Sequence, residues 1–327
     1  MKSNYKPPFS ITAKTINLIA DISAQIERYA IRMEQENGLL LRKINRVKTI
    51  QGSLAIEGNT ISESLITDMI EGKHIVAPPR EIQEVKNAIK TYDAFASLNP
   101  FYVKDLLKAH ALMMEALVDD AGHFRRGGVG VFSDTKVIHV APPAERVPIL
   151  MEDLFDWLKK SADHLLIKSC VFHYEFEFIH PFIDGNGRLG RLWQSLILSK
   201  QHPIFEHLPV ENMVFQNQQQ YYEAISKSTK ATDCGFFIEF MLNEILATLQ
   251  KRTDKPLKKD MHGTVNDTVN GIVNLIKANP KITLDDLALK LNKSRRTITR
   301  GIKKLQEEGI VFRIGSDKTG YWQVKDE

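Results

Sequence analysis

Apolar positions recur at helical spacing over most of the first 250 residues. From 9 to about 35, Ile16, Ile19, Ile22, Ile26 and Tyr29 fall on one face, with Ser10 or Thr12 placed to cap the start. Gly38 breaks that pattern. A second face, Leu40, Ile44, Val47, Ile50 and Leu54, runs over 39–56 and stops at Glu57-Gly58-Asn59, where Gly58 suits a left-handed helix end. Further helices are predicted over 62–70, 80–98 and 103–118, with Pro78-Pro79 and Asn99-Pro100 as the breaks. The period then changes. Val129-Gly130-Val131-Phe132 and Lys136-Val137-Ile138-His139-Val140 read as two short strands around Ser133-Asp134-Thr135, a hairpin. After Pro142-Pro143 the helical period returns over 147–160, with Leu150, Leu154, Leu158 and Trp157 inward. Residues 162–179 are apolar nearly all round, the mark of a central buried helix. Residues 194–250 are helical again, interrupted at His202-Pro203 and Pro209.

The buried helix delivers His180 to the turn Pro181-Phe182-Ile183-Asp184-Gly185-Asn186-Gly187. Glycine reaches positive φ without penalty, and Asp and Asn tolerate it. Helical spacing resumes at once, with Leu189, Leu192, Leu196 and Trp193 on one face. A glycine-rich turn that opens a helix is an anion site, because N–H groups and the positive end of the dipole converge there. Arg188 and Arg191 lie one turn apart and can both face such an anion. His180 stands beside this cradle as a general base. His173, two turns earlier, raises a metal site with Asp184 as an alternative, but the His-Glu-x-x-His spacing is missing and no third strong ligand is close. Glu175 and Glu177 read as rim or partner carboxylates, and Tyr221-Tyr222 as core or interface. Glu57 is oddly placed. A carboxylate in a last helical turn opposes the dipole at a cost of a few tenths of a kcal/mol.

Composition narrows the class without changing it: 43% hydrophobic and 26% charged residues are ordinary for a soluble globular protein. Two cysteines, Cys170 and Cys234, exclude a disulfide framework, and Cys170 reads as a small core residue. No apolar run approaches the roughly 18 residues of a membrane span, and the N-terminus lacks the apolar stretch of a signal peptide. The expectation is a cytoplasmic protein with no membrane partner.

The string His180, Phe182, Asp184, Gly185, Asn186, Gly187, Arg188, Arg191 resembles the signature of the Fic family at all eight specified positions. Ser53-Leu54-Ala55-Ile56-Glu57-Gly58 resembles the inhibitory motif of self-restrained members that carry their inhibitory helix N-terminal to the core. The resemblance covers roughly residues 39–230. It implies protein adenylylation, in which AMP moves from ATP to a Tyr, Thr or Ser hydroxyl of a target protein. His180 would be the base and Asp184 the Mg²⁺ ligand. Gly185, Gly187 and the Asn186 amide would hold phosphate oxygens, Arg188 would neutralise charge on the phosphate chain, and Arg191 would orient the γ-phosphate. Phe182 would be a packing anchor. Ser53 and Glu57 would inhibit, with Glu57 on Arg191. The hairpin resembles the family's flap, and Tyr222 would border adenine. Fic cores often pair, which adds a homodimer to the implied partners. The same signature also serves transfer of other phosphate-containing groups and removal of AMP, and both stay open.

The last stretch is a separate module. Residues 251–262 are a polar, basic linker. Beyond it come a helix over 264–278, a second capped by Thr283 with Asp285 and Asp286 in its first turn, a third from Ser294 to Leu305, and a hairpin. Three helices and a wing resemble a winged helix-turn-helix. Residues 255–327 hold 15 Lys/Arg against 9 Asp/Glu, in a chain of net charge +4. Positions 290–304 carry seven basic side chains and no acid. Arg295, Arg296 and Arg300 would face DNA, although such modules also bind proteins. A DNA-binding regulator with a Fic sensor core is therefore a further alternative. The expected architecture is mainly α: an N-terminal helical region (1–110) with the inhibitory helix, a Fic core (111–250) with a small β-hairpin flap, the linker (251–262) and the winged helix (263–327).

Overall fold

The computed structural model describes residues 5–35, 38–128, 130–133, 136–253, 271–273, 275–277, 279–291, 293–307, 310–315 and 320–324. The chain forms two compact units, Met1–Asp254 and Lys255–Glu327. The first contains α1 (Ala13–Gln35), α2 (Gly38–Ile56), α3 (Glu63–Ile70), α4 (Pro79–Asp93), α5 (Val103–Met113) and the antiparallel hairpin β1 (Gly130–Ser133) and β2 (Lys136–Val140). Six helices follow: α6 (Val147–Lys160), α7 (Leu165–Ile179), α8 (Asn186–Ser199), α9 (Val210–Gln216), α10 (Gln218–Ala231) and α11 (Gly235–Thr253).

The centre is α7, as its all-round apolar sequence predicts. Only Leu165, Glu177 and Phe178 of this helix keep partial exposure. It packs on α8, whose Leu189, Leu192, Trp193 and Leu196 are all buried. Glu175 and Glu177 are not rim residues. Glu175 is 5% exposed and accepts from the Tyr5 hydroxyl at 2.8 Å, and the Glu177 side chain is 14% exposed. In α1 the buried face is Leu18, Ile22, Ile26 and Tyr29, whereas Ile16 is 59% exposed. Both stripes share Ile22, Ile26 and Tyr29, and packing against α11 selects the one that includes Leu18.

Two helices end earlier than their periodicity predicts. α4 gives way to a 3₁₀ turn at Phe95–Ser97. α5 stops at Met113 because the Asn87 amide donates to the carbonyls of Met113 (3.2 Å) and Glu115 (2.7 Å), and Ala116 then turns to φ 59°. Such a distant cap leaves no trace in local spacing. The hairpin pairs Gly130 with Val140 and Ser133 with Lys136, with a register irregularity between Val131 and Phe132.

In the second unit, residues 271–273 and 275–277 are helical, and the remainder of the expected 264–278 helix lies outside the described residues. The helix Leu284–Lys290 opens on a capping box, Thr283 Oγ1 accepting from Asp286 N–H and Asp286 accepting from Thr283. The helix Arg295–Glu307 and the hairpin β3 (Val311–Ile314) and β4 (Tyr321–Val324) complete it. Its own core includes Ile272, Ile276, Leu287, Ile298, Ile302 and Val311. Because α11 reaches Thr253, the stretch predicted as linker begins later than residue 251; the rest of it lies outside the described residues. No helix among the described residues is long and apolar enough to cross a membrane.

Candidate active site

His180 ends α7 in the left-handed conformation, at φ 50°, and its N–H still bonds the Phe176 carbonyl at 2.9 Å. The chain therefore reverses sharply out of the core. Gly185 does the same at the start of α8, at φ 84°. Between them Phe182 is fully buried, with His110 stacked on its ring at 3.7 Å and Phe124 and Phe176 against it. The expected anchor is in place.

The Asn186 amide belongs to the loop itself. Its Oδ1 accepts from Phe182 N–H and its Nδ2 donates to the Phe182 carbonyl, both at 2.9 Å, and the residue is 2% exposed. With both ends bonded to the Phe182 backbone, the amide holds the turn in shape. The first N–H groups of α8 by position lack an intrahelical acceptor.

Arg188 and Arg191 are 3% and 1% exposed. Arg188 donates to Asp184 Oδ1 at 3.0 Å and lies 3.9 Å from Glu84. Arg191 donates to Glu57 Oε1 at 2.8 Å and to the Ser53 carbonyl at 2.9 Å. Burial alone would lower the pKa of the Arg191 guanidinium, and Glu57, Tyr221 and Glu177 together more than offset this. A Cβ added at Gly187 would stand 2.6 Å from Glu57 Oε1. The carboxylate thus sits on the first turn of α8, against a favourable dipole end that compensates its poor position at the end of α2. Ser53 takes part through its carbonyl. Gly58 makes the predicted left-handed stop at φ 90°. Asn59 then fixes the following turn on α4 by bonding Glu84 Oε2 at 2.9 Å.

Asp184 keeps 37% of its side chain exposed. Its Oδ1 accepts from Gly185 N–H and Arg188, while Oδ2 lies 3.5 Å from the exposed Arg80. Tyr222 is 36% exposed. Burial pushes its hydroxyl pKa up, and the Glu57 and Glu177 carboxylates push it the same way, so the ring shares the space around the Glu57–Arg191 pair. His173 is committed inside the core, with Nδ1 on Gln194 at 2.6 Å and Nε2 on Tyr221 at 3.0 Å. It is therefore no metal ligand, and the described residues hold no cluster of three or more potential metal ligands.

Three further residues shape the site and gave no local signal. Glu177 Oε2 lies 4.0 Å from His180 Nδ1, and burial pushes the Glu177 carboxyl up to about 7. Arg125, 3% exposed, donates to the His180 carbonyl at 2.7 Å, to Gly127 O at 2.9 Å and to Pro142 O at 2.6 Å, tying the His180 turn to both ends of the hairpin segment. His110 accepts from Gly122 N–H at Nδ1 (2.8 Å) and bonds the Asp184 carbonyl through Nε2 (3.1 Å). Arg125 and His110 act over separations that periodicity does not register, whereas Glu177 lies one helical turn before His180.

A model of the Fic/DOC family matches residues 98–198, and one for winged helix-turn-helix DNA-binding domains matches 265–311. A crystal structure of a Fic family protein from Desulfovibrio desulfuricans G20 is 40% identical, covers 99% of each chain and superposes with a TM-score of 0.76. The C. elegans protein Fic-1 shares the fold at 18% identity, with a TM-score of 0.58 over 73% of this chain and 72% of that one. "Protein adenylyltransferase Fic" of Nematostella vectensis is 28% identical over 202 residues, 59% of this chain and 45% of that protein. Its namesake in Drosophila willistoni is 30% identical over 192 residues, 54% and 37% of the two chains. The chain thus spans less than half the length of these curated relatives. A full-length likeness at 40% identity, together with the intact His180–Arg191 string, settles the family: this chain belongs to the Fic/DOC family.

Proposed function

We propose that this chain is a protein adenylyltransferase restrained in cis by Glu57. The observation that carries the reading is the loop from His180 to Arg191. It sets a base beside the start of a helix and two buried arginines, in a chain similar to proteins named adenylyltransferases. A target hydroxyl attacks the α-phosphorus of ATP, its proton passes to His180, and the bond to the β-phosphate oxygen breaks to release pyrophosphate. The α8 N–H groups and Arg188 hold the phosphate oxygens and the charge that develops on them. Asp184 suits Mg²⁺, since a half-exposed carboxylate beside phosphates is what that ion takes when it keeps most of its water. The ion supplies charge neutralisation on the phosphates when bound. Tyr222 borders the base.

Restraint follows from Arg191. The guanidinium that orients the γ-phosphate is occupied by Glu57, so ATP binds without its α-phosphorus aligned, and a misplacement of about 1 Å can cost on the order of a hundredfold. We further infer that the C-terminal unit binds duplex DNA through Arg296 and Arg300, both exposed on one helix, with Arg295 held by Asp285 at 2.9 Å.

The test is transfer from α-labelled against γ-labelled ATP. Label should pass to protein from the α-position only. His180→Ala should lower transfer by about 10²–10⁴-fold with ATP affinity unchanged. Transfer from the γ-position, or full activity without His180, would overturn the reading.

A further inference from the structure

The ring of His180 has a buried edge and an open one. Its Nδ1 is buried and lies 4.0 Å from Glu177 Oε2, while the side chain as a whole is 19% exposed. Of the two ring nitrogens, Nε2 is thus the one left to meet a target hydroxyl. For Nε2 to take a proton, the neutral ring must carry its own hydrogen on Nδ1. That hydrogen lies on the side of Glu177, one turn back on α7. The carboxylate is closely held there. A Cβ added at Gly190 of α8 would stand 2.8 Å from Glu177 Oε1 and 3.2 Å from both His173 Cδ2 and Phe176 Cδ1, so glycine makes the room that Glu177 occupies. Oε1 is buried, with no hydrogen-bond partner among the described residues. His173 Nε2 lies 3.9 Å from it and has no proton to give. The His173 hydrogen is on Nδ1, donated to Gln194 Oε1, and its Nε2 accepts from the Tyr221 hydroxyl. Burial pushes the His173 ring down to about 3, so it stays neutral. Of the two imidazoles beside Glu177, only His180 can offer it an N–H.

We propose that Glu177 is a positioning residue for AMP transfer: its carboxylate keeps the His180 hydrogen on Nδ1 and stabilises the imidazolium formed when Nε2 takes the target's proton. The inference rests on His180 as the base. One proton moves, from the target oxygen to Nε2, as that oxygen bonds the α-phosphorus and the bond to pyrophosphate breaks. Glu177 keeps its charge throughout. A gap of 4.0 Å is longer than a hydrogen bond, and such pairs often tighten only once substrate is bound. The other groups facing Glu177 are His173 on its own helix, Arg191 on α8, Glu57 on α2, and Tyr221 and Tyr222 on α10. Arg125 reaches the His180 carbonyl from the other side. Burial pushes the Glu177 carboxyl up to about 7, against the pull of Arg191 and with the push of Glu57. Two ionisable groups this close titrate as a pair. The working form, neutral His180 beside ionised Glu177, is reached as pH rises and the pair loses its last proton.

The test compares the wild type with Glu177→Gln, alike in shape without the charge, and Glu177→Asp, which keeps the charge and gives up a methylene. The His180 ring is titrated by NMR in the full chain, its signals assigned by their loss in His180→Ala. Protonation of the ring should move to lower pH by about one unit in Glu177→Gln, and by less in Glu177→Asp. AMP transfer is followed with Glu57→Gly added to every chain, so that the rates are fast enough to compare. There the acid limb of the pH–rate profile should move the same way. The kcat of Glu177→Gln should fall at least about tenfold, with KM for ATP unchanged. A residue that only fills space would make Glu177→Gln the milder change and leave the titration where it was. An unmoved His180 titration, or a kcat for Glu177→Gln equal to that of its parent, overturns the proposal. The titration judges the pairing whether or not the chain transfers AMP, whereas full transfer by His180→Ala overturns the reading on which the pairing rests.

Discussion

His110 makes two hydrogen bonds that coexist only in a neutral ring. Its Nδ1 accepts from Gly122 N–H, so the proton sits on Nε2 and is donated to the Asp184 carbonyl. Burial pulls its pKa down to about 4 from the usual 6.5. A group depressed on folding adds stability above its unfolded pKa, and that stability is lost as pH falls towards the folded value. The window here is pH 6.5 to 4, and the amount is on the order of 3 kcal/mol. The stability gap between the wild type and His110→Asn, measured by urea unfolding, should therefore be widest at pH 7 and shrink towards pH 4. A gap independent of pH would show that the ring matters only for its stack on Phe182. The glycines of the turn were legible because each does its work within a few residues of itself, whereas Phe182 was marked by the eight-position string and packs against the distant His110 and Phe124. His110 was not, since its partners are 12 and 74 positions away.

At the scale of elements, the decisive packing is that of α2. Gly52 lets α2 approach α9 so closely that an added Cβ would stand 2.7 Å from Asn212 Cα and 2.8 Å from its nitrogen. These are backbone atoms and cannot swing aside. The far end of α2 is bound by Gln218, which donates to the Ile56 carbonyl at 3.4 Å, and by Asn59 on Glu84. Gly52→Ala should displace α2, at about 1–3 kcal/mol of stability, and loosen Glu57 from Arg191. The expected result is several-fold higher self-labelling with ATP alongside a lower melting temperature. Lost stability with unchanged labelling would show that α2 shifts without carrying Glu57. The start and stop of α2 were readable from Gly38 and Gly58. Its rotation and neighbours were not, because helical period says which face is apolar and nothing about what covers it. The same limit explains Ile16, which belongs to a stripe that packing against α11 left outside.

For the whole molecule, the sequence made the order of parts plain: helices, one hairpin, a central apolar helix, then a basic three-helix module with a wing. The eight-position string fixed which loop matters, and every residue of it is gathered between the end of α7 and the first turns of α8. What stayed hidden was support from afar, in Arg125 and His110. The proposed restraint joins distant parts of the first unit, since Glu57 and Arg191 lie 134 positions apart and meet at 2.8 Å. The measurement that tests it most directly is the initial rate of AMP transfer by the wild type and by Glu57→Gly, at matched ATP and Mg²⁺. Glu57→Gly should transfer on the order of a hundredfold faster, and adding Arg191→Ala to it should abolish that gain. Equal rates for wild type and Glu57→Gly would contradict restraint by this pair and leave Glu57 a structural end to α2.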